Sequence, residues 1–197
     1  MPTERPLPRT RQELKEYIQP TQSGKIESGL WGMVRNKQTR FHEGVDIRAL
    51  PNSKNPIFAF MKGRVAYVNK EGNKSSYGKY LVIMHEQLDI PIYSLYAHLS
   101  SISVKKGEFV AAGQEIGNMG LSSSSTKIPN KRKHLHFEIG IQLSNRNFQN
   151  WYNKTFPKED PNHHGDWNGM NLIGFDPLDF ITQKQRHKNF SVKRWLQ

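Results

Sequence analysis

The chain has 197 residues, enough for one domain with a substantial core and too few for two to be expected. It contains no cysteine, which excludes a disulfide framework and a thiolate metal site, so any metal must be held by His and carboxylate; no apolar run is long enough to span a bilayer. Lys and Arg number 29 against 17 Asp and Glu, and the resulting +12 favours anionic partners such as nucleic acid, anionic lipid, or the acidic polymers and carboxylate-bearing peptides of a cell wall.

The basic residues are dispersed, with short clusters at Lys131-Arg132-Lys133 and between Lys184 and Lys188, and no nucleic-acid motif accompanies them. Charge is therefore secondary evidence. The first residues lack an apolar h-region, which fits a processed form with its signal removed or export by another route.

Residues 1–24 carry four prolines and read as an N-terminal arm with a helix over residues 10–18. In Phe41-His42-Glu43-Gly44-Val45-Asp46-Ile47, His42 and Asp46 stand four apart, an even spacing that returns both side chains to one face of an extended segment; odd spacing turns Glu43 away from His42. Short apolar runs then follow at residues 56–60, 64–68, 80–85 and 92–98, punctuated by Gly and Asn, with Ser94, Tyr96 and His98 expected on one face of the last.

After a basic Ser-rich loop comes Lys133-His134-Leu135-His136-Phe137-Glu138-Ile139. Its alternation predicts a strand with Leu135, Phe137 and Ile139 in the core and His134, His136 and Glu138 on a wet face. Two imidazoles side by side suit one metal ligand with one catalytic neighbour, or two ligands. Three protein ligands drawn from His and Asp, with a fourth position left for water, make a catalytic rather than a structural zinc site; His42, Asp46 and one of the paired histidines supply that set.

Residues 145–172 form an insertion rich in aromatics, expected to pack locally. Asp176-Pro177 caps a short closing helix, and residues 183–197 are a basic C-terminal tail. The fold expected is mainly β: an antiparallel β-sheet domain over residues 25–182 with an active-site groove, short terminal helices and long loops.

His-x-x-x-Asp at 42–46, Tyr96-Ala97-His98-Leu99, and His134-Leu135-His136-Phe137-Glu138, in that order, resemble the lysostaphin/LytM-type zinc endopeptidases over roughly residues 27–182. The resemblance implies Zn2+ on His42, Asp46 and His136, with His98 and His134 as catalytic neighbours. It implies the peptide of bacterial peptidoglycan as substrate, cut at a cross-bridge or stem bond, and an extracytoplasmic location. It also implies a tyrosine near the first motif to help stabilise the oxyanion, and none matches here. The chain is expected to be a monomer, with anionic wall polymers as further partners and no specific nucleic acid. The alternative is a non-catalytic relative that binds wall or activates an amidase; such proteins characteristically lose zinc ligands, and all three are present.

Overall fold

The computed structural model describes residues 1–125, 127–156, 158 and 161–197. Strand order is set by the predicted His-Leu-His strand, β11 (His134–Gln142) in a series that begins with β1 (Gly32–Arg35), β2 (Arg40–His42), β3 (Val45–Arg48) and β4 (Pro56–Phe58). It continues through β5 (Gly63–Asn69), β6 (Tyr80–His85), β7 (Ile92–Ala97), β8 (Leu99–Ile102), β9 (Phe109–Val110) and β10 (Glu115–Met119), and closes with β12 (Leu172–Phe175). The main sheet runs β12-β11-β7-β6-β5-β9, all antiparallel, with β3 also paired to β11. Smaller sheets are β4-β10-β8 and the hairpin β1-β2. The structure is mainly antiparallel β, as the alternation of the sequence predicts.

Two registers on β11 position the site. His136 is directly opposite Asp46 of β3 on one side and Ala97 of β7 on the other, so the first and second motifs are brought to the third. The segment from Phe41 to Ile47 is not one extended stretch: it breaks at Glu43-Gly44, with β2 paired to β1 and β3 paired to β11. Gly44 makes that passage possible, because a Cβ there would lie 2.4 Å from the Phe137 carbonyl oxygen.

Leu135, Phe137 and Ile139 enter the larger core cluster with Ile47, Tyr96 and Phe180. Phe137 is fully buried against Phe60 and Tyr96, a placement whose loss to alanine costs about 3–5 kcal/mol. The opposite face of β11 borders a groove at His134 and His136, but further along it is not wet as the alternation suggests. There it is covered by a second cluster built on Tyr80, Tyr93 and Leu95 with Tyr77 packed alongside, and Glu138 is completely buried.

Helix α1 (Arg11–Tyr17) is capped by Thr10, whose side chain accepts the Glu13 N–H. The residues around it are ordered on the sheet: Ile18 bridges Ile47, and the Gln19 N–H donates to the Asp46 carbonyl at 2.8 Å. The insertion carries α2 (Phe148–Thr155), where Phe148, Trp151, Tyr152 and Phe156 stack on one another as expected. Its residues 157, 159 and 160, like residue 126 of the basic loop, lie outside the described residues. Asp176 caps α3 (Pro177–Arg186) by accepting from Leu178 and Asp179, and Asp89 receives the first N–H groups of α4 (Val192–Trp195). Trp195 then packs on Phe175 and Phe180, fastening the C-terminal segment to the core. No helix among the described residues is long and apolar enough to cross a membrane.

Candidate metal centre

Three buried atoms converge at the mouth of β11. His42 Nε2 lies 3.0 Å from His136 Nδ1 and 3.2 Å from Asp46 Oδ1, and the third side of the triangle is 3.1 Å. Tetrahedral zinc with bonds near 2.0–2.1 Å spaces its ligands by about 3.3 Å, so the donor set fits that ion in element type and in size. The other ring nitrogens are committed: His42 Nδ1 donates to the Leu30 carbonyl at 2.7 Å, and His136 Nε2 donates to Glu138 Oε1 at 2.8 Å. Each imidazole thus turns its remaining nitrogen toward Asp46 and toward the other.

Such a convergence of acceptors demands positive charge. Arg35 supplies part of it, with Nη2 at 2.8 Å from His42 Nε2 and also in contact with Asp46 Oδ2. Burial lowers the pKa of His42 despite the neighbouring carboxylate. His136 behaves oppositely: burial opposes its charged form, but hydrogen bonds to Asp46 and Glu138 outweigh that and raise it to about 9. Asp46 is held well below the usual carboxylate range, the cost of burial being overcome by the surrounding histidines. A metal held by the triangle would need His136 Nδ1 unprotonated, as ligating imidazoles are.

Beneath the triangle, Glu138 receives three donors, from His136 Nε2, from Tyr77 Oη at 2.7 Å and from Tyr93 Oη at 2.9 Å. A carboxylate behind a histidine fixes both tautomer and ring orientation. Burial alone raises the pKa of Glu138, and these bonds reverse the direction and keep it ionised.

His98 and His134 flank the triangle with ring centroids 4.8 Å apart. His98 Nδ1 donates to the Ser122 carbonyl at 2.8 Å and His134 Nδ1 to the Arg132 carbonyl at 2.7 Å, which leaves each Nε2 unprotonated in the neutral ring. His134 Nε2 is 3.7 Å from Asp46 Oδ1. Burial, followed by the two neighbouring histidines, pushes His98 down to about 3. His98 does not continue the face of Ser94 and Tyr96 as its spacing predicts, because β7 ends at Ala97 and His98 has φ +60°. This left-handed conformation is unfavourable for a non-glycine residue and is held by bonds from its N–H to the Tyr77 carbonyl and to its own carbonyl from Gly120.

The groove over these groups has a volume of about 330 Å³. Pro20 and Thr21 line it alongside Arg40 and Phe41, with Ser76, Ser125 and Arg132 among its other lining residues. Of the basic residues in the loop before β11, Arg132 lines the groove, whereas Lys133 lines a separate cavity with Lys54.

A family model described as Peptidase family M23 matches residues 40–149, more than half of the chain. The chain belongs to this family. Lipoprotein NlpD of Yersinia enterocolitica is 38% identical over 85 residues, covering 43% of this M23 chain and 75% of that protein. The peptidoglycan DD-endopeptidase ShyB of Vibrio cholerae is 36% identical over 101 residues, covering 51% of the chain and 21% of ShyB. The uncharacterized lipoprotein YgeR of Escherichia coli is 34% identical over 99 residues, 50% of the chain and 34% of YgeR, so the M23 chain spans a minor part of the latter two relatives. The catalytic domain of lysostaphin from Staphylococcus simulans shares the fold, with a TM-score of 0.52 at 22% identity over 88% of this chain and 98% of that domain.

All five residues singled out in the sequence of this M23 chain, His42, Asp46, His98, His134 and His136, line the one groove. Sequence reasoning missed three others. Arg35 reaches the triangle from the segment where the resemblance implied a tyrosine; Tyr77 and Glu138 form the support under His136. Glu138 carried a signal, since it follows His136 at the same-face spacing of two. Glu43, expected to point away, accepts the Gly174 N–H at 3.2 Å yet still lines the groove.

Proposed function

We propose that this M23 chain is a zinc-dependent endopeptidase that hydrolyses a peptide bond of bacterial peptidoglycan, in an extracytoplasmic setting. The observation that carries this reading is the triangle of His42, Asp46 and His136 beside two histidines anchored through Nδ1 on backbone carbonyls. Family membership and the name of ShyB as a peptidoglycan DD-endopeptidase support the substrate class. In this reading residues 25–182 carry the reaction, and the arm of residues 1–24 lends Pro20 and Thr21 to the groove wall.

His42 Nε2, Asp46 Oδ1 and His136 Nδ1 would hold the zinc. When bound, zinc supplies Lewis acidity toward a water and toward the scissile carbonyl. His134, anchored through Nδ1, would accept the proton of the attacking water at Nε2 as general base and return that proton to the leaving amine; His98, whose Nε2 is unprotonated in the neutral ring, is the second candidate, and would donate to the oxyanion or the leaving amine only after taking up the water's proton, so the two roles can be exchanged. Arg35 and Glu138 act on these groups indirectly, the first by charge beside His42 and the second by fixing His136.

The test has two parts. The purified protein should carry about one zinc, with a marked loss in His42→Ala and in His136→Ala; unchanged zinc in both variants rejects the ligand set. Incubation of the zinc-loaded chain with peptidoglycans of known cross-bridge type, followed by mass spectrometry of released fragments, should then identify a cut peptide bond. Release of glycan fragments alone, or of nothing, rejects the activity.

A further inference from the structure

The hairpin at the groove lip is built against its own local preferences. Arg35 and Arg40 are direct cross-strand partners of β1 and β2, where like charges weaken a hairpin. The connection between them is unfavourable as well: Asn36, Lys37 and Gln38 have φ of 49°, 58° and 69°, three successive left-handed residues of which none is glycine. Strain of this kind concentrates at ligand-binding segments.

The two guanidinium groups differ in their commitments. Arg35 is pinned by a bond from Nε to the Ser28 carbonyl at 3.0 Å, while its Nη2 contacts His42 and Asp46. Arg40 is exposed, lines the groove, and has no polar partner for its side chain among the described residues. Arg132 lines the same groove. Of the lining carboxylates, Asp46 pairs with Arg35, Glu138 is buried on His136 and Glu43 accepts from Gly174, and none of them pairs with Arg40 or Arg132 among the described residues.

We propose that Arg35 and Arg40 together receive a free carboxylate of the substrate, carried on a residue beside the bond to be cut, so that the preferred peptide is acidic there rather than neutral or amidated. The inference rests on the peptidase reading above and names its substrate class. A planar guanidinium binds a carboxylate through two parallel N–H groups, and such charge-assisted pairs are among the strong hydrogen bonds. Arg40 has its donors free among the described residues. Arg35 is held at the lip by its Nε bond to Ser28 and its Nη2 contact with Asp46 Oδ2, which leaves Nη1 without a polar partner among the described residues and available to a carboxylate.

The experiment uses the zinc-loaded full chain and two cross-linked stem-peptide dimers isolated from peptidoglycan, identical except that the carboxyl group next to the cross-link is free in one and amidated in the other. Cleavage rate and binding by fluorescence anisotropy are both measured. Wild type should favour the acid about tenfold or more; Arg40→Gln should bring the acid-to-amide ratio close to one, Arg40→Lys should keep part of it, and Arg40→Glu should reverse it. Equal handling of acid and amide by wild type, or a ratio unchanged in Arg40→Gln and Arg40→Glu, overturns the proposal. If neither dimer is cut, the peptidase reading fails, and the anisotropy ratio still decides whether the arginine pair reads a carboxylate.

Discussion

Glu138 Oε1 lies 2.8 Å from His136 Nε2, on the side of the ring opposite the nitrogen that faces Asp46. The carboxylate is completely buried, and two tyrosine hydroxyls complete its shell. It therefore fixes which nitrogen of His136 is offered to a metal.

Replacing Glu138 with Gln places an amide where three donors converge, so at least one is left facing another donor. Zinc affinity should fall about 10–100-fold, the usual effect of losing a carboxylate behind a metal-bound histidine. Competition titration against a zinc chelator measures this directly. Affinity within a factor of two of wild type would show that Tyr77 and Tyr93 suffice to orient the ring.

His98→Ala and His134→Ala should keep zinc and fold while turnover falls by about 100-fold or more, the scale of a lost positioned acid or base. Zinc content and circular dichroism separate this outcome from damage to the triangle. Wild-type turnover in either variant removes that residue from the mechanism.

His85 provides a pH test away from the metal. It is fully buried, with Nδ1 on the Lys62 carbonyl at 2.8 Å and Nε2 on Ser94 Oγ at 2.8 Å, and burial pushes it down to about 4. The unfolded chain therefore binds a proton here between pH 6.5 and 4 that the folded chain refuses, so the contribution of His85 to stability is complete above pH 6.5 and lost as pH falls toward 4. His85→Gln should be less stable at pH 7 and should lose less stability than wild type between pH 6.5 and 4. Urea midpoints at both pH values check this, and equal losses would contradict it.

The basic loop offers a fourth test. Changing Lys127, Lys131, Arg132 and Lys133 to Gln should weaken turnover on an anionic wall substrate most at low salt, with the difference shrinking near about 0.5 M, where the Debye length is only several ångströms. Cleavage of a small neutral peptide should change little, apart from what Arg132 contributes at the groove itself. Equal loss on both substrates at every salt concentration would assign the loop a structural role.

His134 and His136 were legible because β-strand alternation survives tertiary packing: His136 and Phe137 point to opposite faces whatever covers them. His42, Asp46 and His98 were legible from the order of the motifs, since the chain breaks between His42 and Asp46 and turns at His98. What covers them was not legible. At Glu138 the expected wet face of β11 is covered by Tyr77 and Tyr93, and Tyr77 lies 61 positions before the carboxylate it contacts, a distance at which periodicity carries no information. The turn of His98 out of β7 depends on a hydrogen bond from its N–H to the Tyr77 carbonyl and one from the Gly120 N–H to its carbonyl, so its spacing from Ser94 predicted the wrong face. Arg35 sits on a short strand with a strained connection, where neither apolar pattern nor turn chemistry points to a role.

Asp46 and Glu138 are two negative charges enclosed within a chain of formal charge +12. A proton on His136 together with the guanidinium of Arg35 balances them in the structure described. A dication held in place of that proton would leave one net positive charge at the groove, because Arg35 stays charged in either case. Set against +12 overall and screened beyond about 8 Å at physiological salt, that single charge is felt only by a group already inside the groove, so any preference of the loaded over the empty chain for an anionic partner must arise there and not at long range.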